Sequence, residues 1–356
     1  MNQTQVPSND LTDKTVISGL ELDFLRQKFT ERAKKPHHAV KPTGDNGFSV
    51  RMKSGLVFLS EQEGTIAVTA SSDRPDKLFK LKGTFSHIIE SMSPEIFQEL
   101  SWENAPEVGS LPPNFQFTTV MSVTPVGPFV RVRVKMPNLS FIDDTSIHFR
   151  VVLPPKGVKR PEWPYIDENG NSVAPKGEKA LHRPVYTARK LYPETSEMEF
   201  DIFVHEGGRV TEWAQQIQPG ERMAMIGRGG NGGGFLDVEK VIMFGDETAF
   251  PAIAHILDHL PATATGEVTL EADKGAECGY PISAPAGVTI NWIKRTGNGE
   301  LAVAALSQIE QYPDHFLWFA AETQDALKVR EAQKKKGKTP GEAYVRAYWS
   351  RRKQAE

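Results

Sequence analysis

The hydrophobic pattern of this 356-residue chain changes at about residue 236, and this change constrains the fold more than any other feature. Before it, the apolar runs are short and lie between long irregular connections. In the clearest run, Val130, Val132 and Val134 alternate with basic residues, as in a half-buried strand. Six such strands are typical of a closed Greek-key barrel. The six predicted strands cover residues 114–123, 129–136, 146–153, 185–191, 198–205 and 222–226.

Beyond residue 236 the apolar runs become continuous. The run Val241-Ile-Met-Phe244 leads into Gly245-Asp-Glu-Thr248 and an apolar helix, and strand-like runs follow at residues 268–271, 288–292 and 316–320. Buried strands that alternate with helices predict a parallel α/β sheet.

The patterns divide the chain into four predicted blocks. A linker rich in Pro and Gly, at residues 105–113, separates a small α+β domain from the barrel. The α+β domain is predicted to contain a short antiparallel meander and one helix from Pro75 to Leu100. The Pro- and Gly-rich connection at 154–183 is interpreted as an ordered excursion or as a mobile loop near a site. The blocks are 20–104 (α+β domain), 114–235 (barrel), 236–327 (α/β domain) and 328–356 (basic C-terminal helix and tail).

Composition excludes several classes of protein. Lys and Arg number 42 against 45 Asp and Glu, and a net charge of -3 argues against a nucleic-acid or membrane-surface binder. The single cysteine, Cys278, excludes a disulfide framework and a four-cysteine iron–sulfur cluster within one chain. We expect no metal site, because His255 and His259 lack a third ligand. Since residues 1–13 carry no secretory signal and no stretch can span a bilayer, we expect a cytoplasmic protein without integral membrane contact.

Candidate binding residues concentrate in the second half of the predicted barrel. An isoalloxazine ring needs a flat wall and a neutral hydrogen-bonding group, which Tyr186 and Thr187 supply only if their strand ends or bends there. Arg183 or Arg189 can neutralise a pyrophosphate in bidentate geometry. Taken singly, Tyr186 and Arg189 also fit a purely structural role.

Two further features lie near a predicted phosphate position. Thr211 is predicted as the N-cap of a helix containing Trp213, whose N-terminus offers N–H groups to phosphate; a cap without a ligand is the alternative. The run Gly227–Gly234 matches G-x-G-x-x-G, but it leads into a strand where the dinucleotide fingerprint requires a helix. We interpret it as a loop whose backbone can approach a cofactor, or as an interdomain turn.

The order of these motifs resembles the siderophore-interacting protein family of FAD-dependent ferric-siderophore reductases. The resemblance covers residues 115–352, and the first block is similar to a small domain of unknown function found with such proteins. It implies a flavin-binding barrel joined to a ferredoxin reductase-like NAD(P)H domain. The motifs are Tyr186-Thr-Ala-Arg189, Asp201 through His205, Trp213-Ala214, Gly245-Asp-Glu-Thr-Ala-Phe-Pro-Ala252 and Tyr348-Trp349-Ser-Arg351.

The resemblance also implies residue roles. Tyr186 and Thr187 would face the isoalloxazine, and the residues after the first strand of the α/β domain would face NADH or NADPH. Pro184 stands where the family usually has arginine, so the contact with the flavin phosphate either comes from Arg183 or is lost, and Arg209 and Arg228 can each add compensating positive charge near the pyrophosphate. The implied cofactor-binding residues are Arg183, Tyr186, Thr187, Ala188, Arg189, Asp201, Phe203, Val204, His205, Gly208, Thr211, Trp213, Ala214, Asp246, Glu247 and Thr248.

The implied reaction transfers electrons from NAD(P)H through FAD to a ferric siderophore, releasing Fe(II), and needs no catalytic nucleophile. An anionic chelate would dock beside the flavin, where Arg346, Trp349 and Arg351 are the candidate contacts. We expect a monomer. The alternatives are a flavoprotein reduced by ferredoxin, a general flavin reductase, and a non-catalytic siderophore or haem carrier.

Overall fold

The computed structural model describes residues 10–33, 39–44, 46–143, 146–227, 237–297, 299–337 and 342–351. The chain forms two compact units: residues up to Phe115 together with 154–181, and residues 116–153 together with those from His182 onward. Most of the predicted excursion at 154–183 thus belongs to the first unit, while the four predicted domain boundaries stay predictions. Among the described residues, no helix has the length and apolar character that crossing a membrane requires.

The first unit contains an antiparallel sheet covered by helices. Its strands lie in the order β1-β5-β4-β3-β2, using the labels given below. Phe29 and Phe85, from two helices, stack with ring centroids 5.9 Å apart and belong to one apolar core with Phe48 of the sheet. The elements are β1 (Leu11–Ile17), α1 (Leu22–Arg32), β2 (Ala39–Pro42), β3 (Gly47–Met52), β4 (Gly55–Gln62), β5 (Thr65–Ser72), α2 (Pro75–Glu90) and α3 (Pro94–Glu99).

The α+β character of this region agrees with the sequence prediction, but β1, α1 and β2 were not predicted. The hydrophobic pattern of the sequence does not reveal β1, because two of its buried residues, Asp13 and Thr15, are polar. Asp13 forms a buried ion pair with Lys82. The single helix expected over residues 75–100 is two helices. Ser93 caps the second, its Oγ accepting the Ile96 N–H at 3.5 Å, and Pro94 opens the first turn.

Six strands of the second unit close into a barrel, in the order β11-β12-β7-β6-β13-β8. Val132, Val134 and Phe149 point into its core, which confirms the predicted six-stranded barrel. The short strands β9 and β10 pair with each other in the first unit. The elements are β6 (Phe115–Val126), β7 (Phe129–Lys135), β8 (His148–Val152), β9 (Tyr165–Ile166), β10 (Ser172–Val173), β11 (Val185–Tyr192), β12 (Glu197–Phe203), α4 (Arg209–Ala214) and β13 (Arg222–Ile226).

The rest of the second unit is a parallel sheet of order β16-β15-β14-β17-β18, as the continuous apolar runs predict. Buried Met243 and Ile242 of the first strand face opposite apolar clusters, so both sides of this sheet are covered. The elements are β14 (Lys240–Asp246), α5 (Phe250–His259), β15 (Thr265–Ala272), β16 (Gly287–Lys294), α6 (Glu300–Gln311), β17 (Phe316–Glu322), α7 (Thr323–Lys335) and β18 (Ala343–Trp349).

The C-terminal segment differs from the predicted helix and tail over residues 328–356. Helix α7 accounts for its beginning, but β18 then adds a fifth parallel strand beside β17. The alternation of Tyr344, Arg346 and Tyr348 with Val345 is a strand pattern, and aromatic residues favour strands. The neighbouring lysine run conceals this short pattern in the sequence.

Candidate functional site

A cavity of about 370 Å³ lies in the second unit, lined both by barrel strands and by the parallel sheet. The barrel contributes residues of β7, β8, β11 and β12, and the sheet contributes the residues just after β14 and residues of β18. Ligand sites of parallel sheets lie beyond the carboxyl ends of their strands, and this cavity obeys that rule. The predicted site residues that line it are Tyr186, Thr187, Asp201, Phe203, His205, Glu247, Thr248 and Arg346.

Tyr186 and Thr187 both line the cavity although they are adjacent on β11. The strand pairs with β8 up to Thr187 and then with β12 from Ala188, with a register shift before Lys190. Such an irregularity bends a strand and re-aims its side chains, which meets the condition set by the sequence. Burial raises the pKa of the Tyr186 phenol, so this hydroxyl stays protonated and can donate a hydrogen bond.

His148 connects the barrel wall to the sheet wall. Its Nδ1 lies 3.1 Å from the Thr187 hydroxyl oxygen, and its Nε2 lies 3.3 Å from the hydroxyl of Tyr348 on β18. His148 is 5% exposed, so both contacts are shielded from water. Sequence reasoning missed its role and that of Tyr344, which also lines the cavity. The short run His148-Phe-Arg-Val-Val152 of β8 gives no signal that a histidine there joins two sheets.

Asp201 anchors the floor of the cavity on β12. Arg131 of β7 donates to its two carboxylate oxygens at 2.7 and 2.8 Å, and the Tyr280 hydroxyl donates to Oδ2 at 2.7 Å. This carboxylate raises the pKa of Arg131 still further above its already high value. Asp201 therefore carries three internal hydrogen bonds in addition to any contact with a ligand.

Thr211, in the chain that follows β12, forms hydrogen bonds back to the backbone at the end of this strand. Its hydroxyl donates to the Phe203 carbonyl at 3.3 Å and accepts the His205 N–H at 3.4 Å. The prediction that Thr211 caps a helix is wrong, because α4 begins at Arg209 and Gly208 occupies the cap position. A Cβ at Gly208 would lie 2.5 Å from Cε1 of the exposed His205 and 2.8 Å from Oγ1 of the buried Thr211, so a larger residue would have to displace both side chains. Thr211 therefore fixes the strand end rather than presenting a free hydroxyl.

The end of β14 carries the acidic pair Asp246 and Glu247. Asp246 Oδ1 accepts from the backbone N–H and the hydroxyl of Thr248, at 3.0 and 2.5 Å, and Oδ2 accepts from Trp349 Nε1 at 2.6 Å. Complete burial raises the pKa of Asp246 to about 6. Glu247 forms an ion pair with Arg295 and accepts the Asp273 N–H at 3.3 Å.

Other predicted residues lie outside the cavity. Arg183 is exposed, and its carbonyl accepts from Arg150 Nη1 at 2.6 Å. Arg189 pairs with Asp258 of α5 at 2.6 Å, and both line a separate groove. A flavin contact from either arginine stays a prediction. Ala188, Val204, Trp213 and Ala214 do not line the cavity either, and Arg228 with most of the glycine run lies outside the described residues.

Of the three predicted substrate contacts, only Arg346 lines the cavity. Its guanidinium lies 5.1 Å from the centre of the Tyr344 ring, and its Nη1 donates to the Val345 carbonyl at 2.9 Å. Its Nε is buried and lacks a hydrogen-bond partner within the described part of the chain. The Trp349 indole is instead committed to Asp246, and the Arg351 backbone N–H donates to Glu322 at 3.2 Å.

The residues of the cavity fit a flavin. Tyr186, Thr187, Thr248 and Arg346 line one space and bring to it an aromatic ring, two hydroxyl-bearing side chains and a guanidinium. Its volume lies within the range of about 300–1,000 Å³ that is typical of small-molecule sites. Over the described ranges, no group of three or more His, Cys, Asp or Glu side chains is arranged to hold a metal ion. His255 and His259 stack on each other, with ring centroids 4.4 Å apart.

Comparison with known proteins agrees with this assignment. Residues 116–232 match the family model of the siderophore-interacting FAD-binding domain, and residues 238–352 match that of the siderophore-interacting protein. The ferric vibriobactin reductase ViuB of Vibrio cholerae is 30% identical over 225 residues, which cover 60% of this chain and 80% of the relative. The NADPH-dependent ferric-chelate reductase of Escherichia coli is 28% identical over 191 residues, covering 52% of this chain and 72% of that protein.

Solved structures show the same fold. A siderophore utilization protein from T. fusca is 25% identical with a TM-score of 0.59, covering 69% of this chain and 97% of that chain. The siderophore-interacting protein SipS from Aeromonas hydrophila is 21% identical with a TM-score of 0.55, covering 69% of this chain and all of its own. With a closed barrel, a parallel sheet and a cavity lined by both, this chain belongs to the siderophore-interacting protein family of FAD-dependent reductases.

Proposed function

We propose that this chain reduces ferric siderophores with electrons that NADH or NADPH delivers through FAD, releasing Fe(II) in the cytoplasm. The observation that carries the proposal is the single cavity in which Tyr186 and Thr187 of the barrel face Thr248 and Arg346 of the sheet. Such a cavity brings a barrel-bound flavin within reach of a nucleotide at the strand ends. The names of the Vibrio cholerae and Escherichia coli relatives support the same activity.

The bound flavin supplies the ability to accept a hydride and to pass its electrons on singly, as Fe(III) requires. The protein's part is to orient and to enclose. The Tyr186 side chain forms one wall, and His148 holds the Thr187 hydroxyl in a fixed orientation beside it. No side chain of the cavity needs to form a covalent bond to the substrate.

Arg346 is the proposed contact for the chelate. Ferric siderophores with catecholate or carboxylate arms are often anionic, and Arg346 brings a guanidinium charge to the cavity wall. A charged hydrogen bond from this guanidinium would hold an anionic chelate beside the flavin. Trp349 and Arg351 are proposed only as neighbours of Arg346 near the end of β18, without a chelate contact of their own.

The test uses the FAD-loaded protein under anaerobic conditions. We expect flavin absorbance to bleach on addition of NADH or NADPH, and to return when a ferric siderophore is added while an Fe(II)-specific chelator develops colour. Bleaching by reduced ferredoxin alone would contradict the nicotinamide donor. Bleaching without reoxidation by any ferric chelate would contradict the substrate.

The matched pair Arg346→Gln and Arg330→Gln tests the chelate contact. Arg330, on α7, donates to the Val345 carbonyl and does not line the cavity. We expect Arg346→Gln to raise the KM for an anionic ferric chelate by about tenfold, since a charged hydrogen bond contributes about 1.5–3 kcal/mol. A neutral ferric chelate should be affected less, and Arg330→Gln should change neither value. Equal losses for neutral and anionic chelates would contradict the charge-based role.

A further inference from the structure

The strand order of the parallel sheet indicates where the adenosine end of a bound dinucleotide lies. Numbered in chain order, its strands run 3-2-1-4-5, with the reversal between β14 and β17. In sheets of this order the nucleotide lies across the reversal, and the end of the second strand meets the adenosine ribose. An acidic residue there binds a free 2′-hydroxyl, whereas a nearby arginine accommodates a 2′-phosphate. In this chain the second strand is β15, with Glu271 at its end and Asp273 just beyond.

An arginine does lie at this position, but its guanidinium is occupied. Arg295 follows β16, and its Nε lies 2.9 Å from Glu271 Oε1 while its Nη1 lies 2.8 Å from Asp273 Oδ1. Its Nη2 forms a third ion pair, with Glu247 at the end of β14. All three guanidinium nitrogens thus face carboxylates. The guanidinium therefore has no free pair of N–H groups with which to bind a phosphate in bidentate fashion. We call Arg295 with Glu247, Glu271 and Asp273 the Arg295 cluster.

The carboxylates of the Arg295 cluster are held in place by backbone groups. Glu247 accepts the Asp273 N–H at 3.3 Å, and Glu271 accepts the N–H of Leu301, in the first turn of α6, at 3.2 Å. A phosphate would have to break these contacts to displace either side chain from Arg295. The cluster is therefore a fixed feature of the sheet edge rather than a set of mobile side chains.

The charge of the Arg295 cluster is negative, with three carboxylates against one guanidinium. The Asp273 side chain is 73% exposed, so part of this charge faces solvent at the sheet edge. Lys274 and Lys294 are exposed nearby and add positive charge, so what disfavours a phosphate is the occupied guanidinium of Arg295 together with the carboxylates held beside it. A dianionic 2′-phosphate would meet the carboxylates of Glu271 and Asp273 at close range, whereas a ribose hydroxyl could donate to one of them.

We propose that the Arg295 cluster excludes the 2′-phosphate, so that the electron donor of this protein is NADH rather than NADPH. This inference rests on the proposed function, because it assumes that a nicotinamide nucleotide binds at this edge. It also sets the chain apart from the Escherichia coli relative, which is named as NADPH-dependent.

Equilibrium binding tests the inference without turnover. The FAD-loaded protein is titrated with NAD⁺ and with NADP⁺ by calorimetry at two salt concentrations. We expect NAD⁺ to bind about tenfold more tightly at ~0.01 M salt, and the difference to shrink severalfold at ~0.5 M, because the Debye length falls from about 30 Å to below 10 Å. Purely steric exclusion would leave the ratio independent of salt and would overturn the electrostatic argument.

The outcomes separate this inference from the proposed function. Equal or tighter binding of NADP⁺ would overturn the inference and leave a nicotinamide-dependent reductase intact. Failure of both nucleotides to bind would overturn the inference together with the nicotinamide donor.

A matched pair of variants assigns the effect to the cluster. Asp273→Asn removes the exposed carboxylate and releases Arg295 Nη1, so we expect the Kd for NADP⁺ to fall about fivefold while that for NAD⁺ changes less than about twofold. Asp314→Asn is the control: Asp314 is exposed and precedes β17, at the amino end of the same sheet. Unchanged NADP⁺ affinity in Asp273→Asn, or an equal change in Asp314→Asn, would overturn the proposal.

Discussion

Two buried aspartates lie in different environments near the cavity: Asp201 of the barrel lines it, and Asp246 of the parallel sheet holds the lining residue Thr248. Asp201 and Asp246 are each 3% exposed. Asp201 has a cationic partner, since Arg131 binds both of its oxygens, and Tyr280 adds a neutral donor. Asp246 is hydrogen-bonded by Thr248 and Trp349, both of which are neutral.

The difference decides which wall of the cavity responds to pH. A buried carboxylate beside a bidentate guanidinium is compensated for the loss of its hydration, whereas neutral donors compensate only in part. Burial accordingly raises the pKa of Asp246 to about 6. The barrel side of the site is thus fixed by an ion pair, and the sheet side carries a proton-dependent charge near the ends of the strands.

The largest expected effect comes from breaking the ion pair of the barrel. Asp201→Asn leaves the partly buried Arg131 without its bidentate partner and should lower the free energy of unfolding by about 3 kcal/mol. Urea denaturation of the purified protein measures it. Glu197→Gln is the matched control on the same strand, since Glu197 pairs with the more exposed Arg133 at 2.7 Å; its loss should stay below about 1 kcal/mol. Equal losses in the two variants would contradict the contrast between the sites.

The next effect concerns the pH dependence that Asp246 contributes. Its pKa is raised, so between about pH 4 and pH 6 the folded chain keeps a proton that the unfolded chain has lost, and stability falls as pH rises through this window. Asp246→Asn removes this fall. Relative to the unmodified protein, the variant should gain about 2 kcal/mol between pH 4 and pH 7. Urea denaturation at several pH values checks this, and a difference that is constant with pH would contradict it.

A smaller effect is expected from the neutral donor to Asp246. Trp349→Phe removes the indole N–H that lies 2.6 Å from Oδ2 and lowers the pKa of Asp246. We expect that pKa to rise further and the protein to lose about 1–2 kcal/mol at pH 7, where the carboxylate is charged. The loss should diminish below pH 5. A loss of the same size at both pH values would show that packing, and not the hydrogen bond, accounts for it.

The smallest effect tests the neutral donor to Asp201. Tyr280→Phe removes the hydroxyl at 2.7 Å but leaves Arg131 in place, so the carboxylate stays compensated. We expect a loss of about 1 kcal/mol in the free energy of unfolding, measured by urea denaturation. A loss as large as that of Asp201→Asn would contradict the view that the ion pair with Arg131 is the main partner of this carboxylate.

Much of the fold could be predicted because hydrophobic periodicity reports directly on burial. The alternation around Val132 and the continuous run Val241–Phe244 distinguish a half-buried barrel strand from a strand covered on both faces. Strands β1 and β18 escaped prediction for the opposite reason. The core-facing Asp13 and Thr15 of β1 are buried with partners far away in the chain, Lys82 and Ser101. Strand β18 carries the charged Arg346 at a cavity-lining position.

The candidate site could be predicted only in part. Motifs adjacent in sequence, such as Tyr186-Thr187 and Glu247-Thr248, do line the cavity. His148 and Arg295 could not be found this way, because each acts through side chains on other strands. For Thr211 the sequence position predicted a helix cap that the structure does not show. Its hydroxyl instead forms hydrogen bonds with the backbone of Phe203 and His205 at the end of β12.

The contact between His148 and Tyr348 joins residues that are 200 positions apart. During synthesis, the barrel strands of the flavin site emerge from the ribosome well before β18 exists. The sheet wall of the cavity therefore forms only after the strand Ala343–Trp349 has been made. A flavin that met the barrel earlier would lie on a face that this strand does not yet cover.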